Sequence, residues 1–135
     1  MTYVIAYVAT TVAFLGLDFL WLGTVATGFY KSRLGDMLLN QPNFVAAGVF
    51  YLFYVAGIVY FAVQPALVSG NWTTAAIAGA ILGFIAYGTY DMTNLATLKN
   101  WSPAVSAVDM AWGTVLTSFS AVVGYFVTQK LSGSI

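Results

Sequence analysis

The chain contains four long runs of apolar residues, and these runs limit its fold more than any other feature. They cover roughly residues 3–28, 44–64, 74–98 and 103–128. Each is long enough to cross the hydrocarbon core of a bilayer, which takes about 20 helical residues at a rise of about 1.5 Å each. Short connections make successive helices antiparallel neighbours. The sequence therefore predicts an all-α membrane protein, a single domain over residues 1–135 built as an antiparallel four-transmembrane-helix bundle.

The composition agrees with a membrane environment. Of the 135 residues, 61% are hydrophobic and only 6% are charged, whereas about a quarter of the residues of a soluble domain are charged. A soluble all-α core is the alternative, but four such runs with almost no polar face disfavour it. The net charge of zero argues against a nucleic-acid partner, because nucleic acid requires a basic face.

Residue types that are missing from the chain exclude several chemistries. The sequence has no Cys, no His and no Glu. Disulfides and thiol chemistry are therefore excluded, as are histidine-ligated haem, Glu-x-x-His di-iron sites and catalysis by a histidine base within one chain. We expect no cofactor and no metal site. Every acidic residue is an aspartate, namely Asp18, Asp36, Asp91 and Asp109.

The basic residues predict an orientation. Lys31, Arg33 and Lys99 lie on one side of a four-span bundle, and only Lys130 lies on the other. The positive-inside rule then makes the side with three basic residues cytoplasmic and places both termini outside. The first run lacks a basic start and contains Asp18, so it is predicted to be the first span rather than a signal peptide.

Small residues recur at every fourth position of the third run, at Ala75, Gly79 and Gly83. Such a stripe allows two membrane helices to approach closely. Packing against the first or the fourth helix is the favoured interpretation, ahead of dimerisation through this stripe.

Three carboxylates fall inside the apolar runs. Counted along the helices, Asp18, Asp91 and Asp109 lie about 15, 10 and 9 Å from the basic side, and therefore in the same half of the membrane. Ionisable residues in lipid are costly and usually face the protein interior or a wet cavity. The sequence predicts an acidic pocket that opens toward the basic side. Asp91 and Asp109 are predicted to hold one proton between them near neutral pH, because two close carboxylates cannot both ionise cheaply.

Further polar and aromatic side chains are predicted to line this pocket. Residues three or four apart share a helix face, and Tyr51 and Tyr54 reach the same layer from the second helix. For each tryptophan alone, ordinary packing is the alternative, and for the whole set it is a hydrogen-bond network that only fixes helix register. The predicted substrate- or proton-binding residues besides the three carboxylates are Trp21, Tyr51, Tyr54, Tyr87, Asn94, Ser106 and Trp112.

Four segments carry a family resemblance. They are DFLWLG at 18–23, GFY at 28–30, YDMTNLATL at 90–98 and DMAWGT at 109–114. With these segments the chain resembles a bacterial family of four-helix inner-membrane proteins that is described only as a domain of unknown function. The resemblance implies four spans in a bacterial inner membrane. It also implies an associational link to lipids, because members are often encoded near enzymes that modify membrane fatty acids, such as cyclopropane-type synthases.

The sequence leaves three functions open. The first is a carrier or binding protein for a small or lipidic substrate, which could be proton-coupled and would need a homodimer to make a path across the membrane. The second is a lipid-modifying enzyme or its accessory subunit, in which aspartates act as acid and base or hold a divalent ion. The third is a structural or assembly subunit. Membrane lipids are the expected partners.

Overall fold

A computed structural model describes residues 1–39 and 41–132 of the chain. All regular structure in this part is helical, and four long helices are apolar enough to cross a membrane. The predicted all-α membrane protein with four spans is confirmed. The helices are α1 Thr2–Met37, α2 Phe44–Ser69, α3 Trp72–Thr97 and α4 Pro103–Ser132.

Capping residues set most of the helix ends. The Asn43 and Asn71 side chains accept hydrogen bonds from backbone amides in the first turns of α2 and α3. Ser102 does the same for α4 at 3.3 Å, and Pro103 is the first residue of this helix, as the predicted start of the fourth run near residue 103 requires. Helix α2 ends at Gly70, whose φ of 68° lies in the left-handed region that glycine adopts at little cost.

The predicted end of the first helix near residue 28 is wrong. Helix α1 continues to Met37 through a π-helical turn at Leu22–Ala26 and a final 3-10 turn. The chain that follows the predicted first span is therefore helical up to Gly35, where φ reaches 54°. The physical reason is that no proline or other strong helix breaker precedes Gly35. At 36 residues, α1 is about 54 Å long, so its last turns extend beyond a hydrocarbon core of about 30 Å.

The second helix also differs from its prediction. It does not end at Pro65 but runs through this proline to Ser69. A π-helical turn at Val59–Val63 comes just before the proline. The shifted hydrogen bonds of such a turn accommodate a residue that has no amide hydrogen. The third and fourth helices begin and end within a few residues of their predicted limits.

Helices α3 and α4 form the closest pair of the bundle. Ala75, Gly79 and Gly83 are buried, and the two glycines lie directly against the α4 backbone. A Cβ atom on Gly83 would collide with the carbonyl oxygen of Gly113. The small-residue stripe therefore packs within the chain, against α4, as the sequence favours.

Helix α1 packs antiparallel to α4. Thr10, near the start of α1, lies beside Gly124 near the end of α4. Further along, the Trp112 indole bonds the Asp18 carboxylate. At the end of the bundle that carries the basic residues, Leu34 forms a small apolar cluster with Trp101 and Val105. This cluster fastens the extension of α1 to the start of α4.

The two halves of helix α2 contact different helices of the bundle. From Val59 onward it packs against α3, whereas Phe44–Ile58 packs against α1 and stands away from α3. The divergence leaves a cleft between α2 and α3 on the basic side. Elsewhere the outer surface carries large apolar side chains such as Phe19 and Phe53, which are 79% and 74% exposed, as expected of helices that face lipid.

Candidate functional site

Asp91 lies at the contact between α3 and α4. Its side chain is completely buried, and neither carboxyl oxygen has a hydrogen-bond partner among residues 1–39 and 41–132. The Asp109 carboxyl is its neighbour. The Ser106 hydroxyl donates to the backbone carbonyl of Asp91 at 2.9 Å and accepts from the Trp101 indole at 3.0 Å. Ser106 therefore fastens the two helices together, while the Asp91 carboxyl itself is unpartnered.

Asp109 is half-buried and accepts a hydrogen bond from Tyr30 at 2.9 Å. The Tyr30 hydroxyl lies 3.4 Å from the Trp21 indole nitrogen, which donates to it. Sequence reasoning missed Tyr30 as a site residue, because Tyr30 lies beyond the predicted end of the first span. The available signal was the lack of a helix breaker after Gly28, because a continuing helix carries Tyr30 down along α4.

Asp18 forms a second centre. It is only 7% exposed and accepts two hydrogen bonds of 3.2 Å, one from the Tyr51 hydroxyl and one from the Trp112 indole. Trp112 also stacks on Trp21, with ring centroids 4.4 Å apart and planes 7° from parallel. Asp18 and Trp21 of α1 therefore both contact Trp112 of α4. Both tryptophans pack, as the simpler interpretation predicts, and both also donate hydrogen bonds.

The three carboxylates have two sets of partners. In the described part of the chain, no three acidic side chains come close enough together to hold one metal ion. Asp18 is engaged by Tyr51 and Trp112, and Asp91 stands beside Asp109. The stacked tryptophans connect the two centres.

The remaining predicted residues have different surroundings. Tyr54 is buried, and its hydroxyl shares a hydrogen bond of 2.8 Å with Thr117. The Tyr87 ring lies against the backbone of Gly113. Asn94 is half-buried, three residues beyond Asp91 and therefore nearer the basic end. The contacts described above do not connect Asn94 with Asp91 or Asp109.

A cleft of about 460 Å³ opens between α2 and α3, and we name it the lateral cleft. Phe50 and Tyr90 are 60% and 58% exposed, so its mouth faces lipid. Sequence reasoning missed both residues, because an exposed aromatic side chain on a membrane helix resembles ordinary lipid-facing surface. The lining residues are Ala47, Phe50, Tyr51, Tyr54, Ala86, Tyr87, Tyr90 and Asp109. The five aromatic residues among them are the aromatic wall.

The lateral cleft lies toward the basic end of the bundle. Asp91 comes six positions before Thr97, the last residue of α3, which is about 9 Å from this end along the helix. Lys31, Arg33 and Lys99 are exposed near the same end. No basic side chain lines the cleft. A larger groove of about 710 Å³ lies between α1 and α2, and its lining includes neither an acidic nor a basic residue.

Comparison with known proteins gives one match. The model of a family described as "Predicted membrane protein (DUF2177)" matches residues 3–126. No curated protein and no solved structure matches the chain. The resemblance to a family of predicted membrane proteins, noted in the four segments of the sequence, is confirmed.

Proposed function

We propose that this chain, which belongs to the DUF2177 family of predicted membrane proteins, binds an apolar molecule drawn from the bilayer in its lateral cleft. The observation that carries the proposal is the opening of this cleft sideways into lipid, with an aromatic wall and a single carboxylate, Asp109. Ligand pockets are mostly apolar cavities of about 300–1,000 Å³ with a few polar groups that fix orientation. The lateral cleft has this character.

The position of the lateral cleft supports binding from one leaflet rather than passage across the membrane. Beyond the cleft the bundle is filled by Phe14, Ile58 and Leu116, each fully buried. The Tyr54–Thr117 hydrogen bond joins α2 to α4 at this level. A continuous polar path favours a carrier, whereas an apolar plug favours a site entered and left on the same side. The site also lies near the headgroup level, where the polar end of a lipid is found.

Filling the lateral cleft is expected to remove its ligand. Ala47 lines the cleft, whereas its neighbour Ala46 is exposed outside it. In Ala47→Phe the new ring occupies the space between α2 and α3. Native mass spectrometry of protein extracted with its bilayer lipids is expected to find a retained apolar ligand on the wild type and on Ala46→Phe, and at least about fivefold less on Ala47→Phe. Equal retention by both variants contradicts the proposal.

We also propose that the protein lies in a bacterial inner membrane with the end that carries Lys31, Arg33 and Lys99 in the cytoplasm. Its support is the asymmetry of basic residues, three at this end against Lys130 alone at the other. The long α1 places Lys31 and Arg33 on exposed helical turns near the start of α4.

This orientation predicts the side from which a single cysteine reacts. The natural chain has no cysteine, and Ser32 and Ser69 are exposed at opposite ends of the bundle. In intact cells, a membrane-impermeant maleimide is expected to label Ser69→Cys. It should label Ser32→Cys only after lysis. The reverse pattern establishes the opposite orientation.

A further inference from the structure

We infer that the lateral cleft selects ligands whose apolar body carries a positive charge, such as a quaternary ammonium or phosphonium group. This inference rests on the proposed function, since it names the class of ligand that the same cleft binds. It arises from the pairing of the aromatic wall with Asp109 in one cavity of about 460 Å³.

The first support is the chemistry of the lining. The aromatic wall contributes one phenylalanine and four tyrosines, and aromatic rings attract cations through their quadrupole. Cages of this kind recognise quaternary ammonium groups. A cation without N–H groups needs no directional hydrogen bond, so rings and a carboxylate suffice to hold it.

The second support is the charge balance of the site. Asp91 is fully buried beside Asp109 and lacks a hydrogen-bond partner within residues 1–39 and 41–132. No lysine or arginine lines the lateral cleft, and Arg33 lies instead over the ring of Phe29, at 3.9 Å from its centroid. Asp91 is buried and Asp109 half-buried, and this pair has no basic partner in the described part of the chain. The neighbouring cavity is therefore favourable to a positive charge and unfavourable to an anion.

The third support is the position of the cleft. It opens sideways into lipid near the membrane boundary, where an amphiphilic cation concentrates with its charge at the headgroups and its body in the hydrocarbon. The charge can come from a lipid headgroup or from a free hydrophobic cation, and both present the same onium group to Asp109.

The test compares ions of the same shape and opposite charge. The protein is placed in nanodiscs of phosphatidylethanolamine and phosphatidylglycerol, which carry no quaternary ammonium group, with empty nanodiscs of the same lipids as the baseline for partitioning. Binding of tetraphenylphosphonium, tetraphenylborate and the uncharged tetraphenylsilane is measured by equilibrium dialysis. The cation is expected to bind at least about tenfold more tightly than the anion. A dialkyldimethylammonium lipid in the disc that displaces the phosphonium identifies a lipid as the source, and failure to displace it identifies a free cation.

Charge deletion gives the decisive variants. Asp109→Asn alone leaves Asp91 able to supply a charge, so the double variant Asp91→Asn with Asp109→Asn removes both carboxylates. Asp36→Asn is the matched control, because Asp36 is exposed outside the cleft. The double variant is expected to lose at least about tenfold in phosphonium affinity and Asp36→Asn none. Thermal melting in detergent checks that each variant is folded. Asp109→Glu keeps the charge and is expected to bind the phosphonium, which shows that the charge is what Asp109→Asn loses.

The outcomes separate the inference from the function on which it rests. If all three probes bind the wild type equally and Ala47→Phe abolishes their binding, the lateral cleft binds apolar ligands and the preference for cations is wrong. If no probe binds above the empty disc, the proposed function itself fails. Retention of full phosphonium affinity by a folded double variant overturns the inference.

Discussion

Replacing Gly83 by alanine is expected to destabilise the bundle strongly. A Cβ atom at this position meets the backbone carbonyl oxygen of Gly113 and the side chain of Thr117. A backbone atom in the middle of a helix cannot move aside alone, so α3 and α4 must separate over several turns. We expect a loss of about 3 kcal/mol in the free energy of unfolding, at the upper end of the usual range for overpacking. Titration with sodium dodecyl sulfate measures it.

The chain offers a matched control for this substitution. Gly16 is also within a helix, but no atom lies within 4 Å of a Cβ built on it. Gly16→Ala is therefore expected to leave the stability unchanged or to raise it by about 0.5 kcal/mol through helix propensity. If Gly83→Ala and Gly16→Ala unfold at the same detergent fraction, close packing of α3 on α4 is not what holds the bundle together.

Removing the Asp18 carboxylate is expected to be the second large effect. This group accepts hydrogen bonds from the Tyr51 hydroxyl and the Trp112 indole, and it is only 7% exposed. In Asp18→Ala both half-buried donors lose their acceptor, and the hydrocarbon supplies no water to replace it. An unsatisfied donor costs about 1–3 kcal/mol when it is buried, so two half-buried donors should lower the free energy of unfolding by about 2–3 kcal/mol.

Two further variants decide whether the hydrogen bonds are the cause. Asp18→Asn keeps one acceptor oxygen and is expected to lie between the wild type and Asp18→Ala. Asp36→Ala removes an exposed carboxylate and is expected to change nothing measurable. Thermal melting in detergent gives the order of the stabilities of these variants. If Asp18→Ala melts at the same temperature as the wild type, the two hydrogen bonds do not contribute to stability.

The acidic site illustrates how far residue spacing alone can go. Counting along the helices was enough to place Asp91 and Asp109 at one level, and the structure brings these carboxyls side by side. The same counting put Asp18 at this level too, but it gave no sign that the hydrogen-bond partners of Asp18 are Tyr51 and Trp112. Depth follows from helical rise. The neighbour that a side chain contacts at that depth depends on the rotation and tilt of its helix. The rise per residue gives no information on either.

The unexpected contributor to the site is Tyr30. It lies 79 positions from Asp109 in the sequence, beyond the predicted end of the first span. Helix α1 carries it to the start of α4, where Leu34, Trp101 and Val105 hold the extension in place. A local pattern predicts whether a helix is broken, and here the lack of a breaker before Gly35 was the only sign. The contact itself is tertiary.

The sequence by itself determined the four spans, the stripe of small residues by which α3 packs, the start of α4 and the presence of carboxylates within the apolar runs. Each follows from local chemistry, because long apolar runs, glycine spacing and capping residues act over a few turns. Only the tertiary structure decided the divergence of α2 from α3, and with it the lateral cleft. In water, an apolar face identifies the side of a helix that packs. In lipid, the faces toward protein and toward lipid are both apolar, so Phe50 and Tyr90 gave no sign that a cavity lay between them.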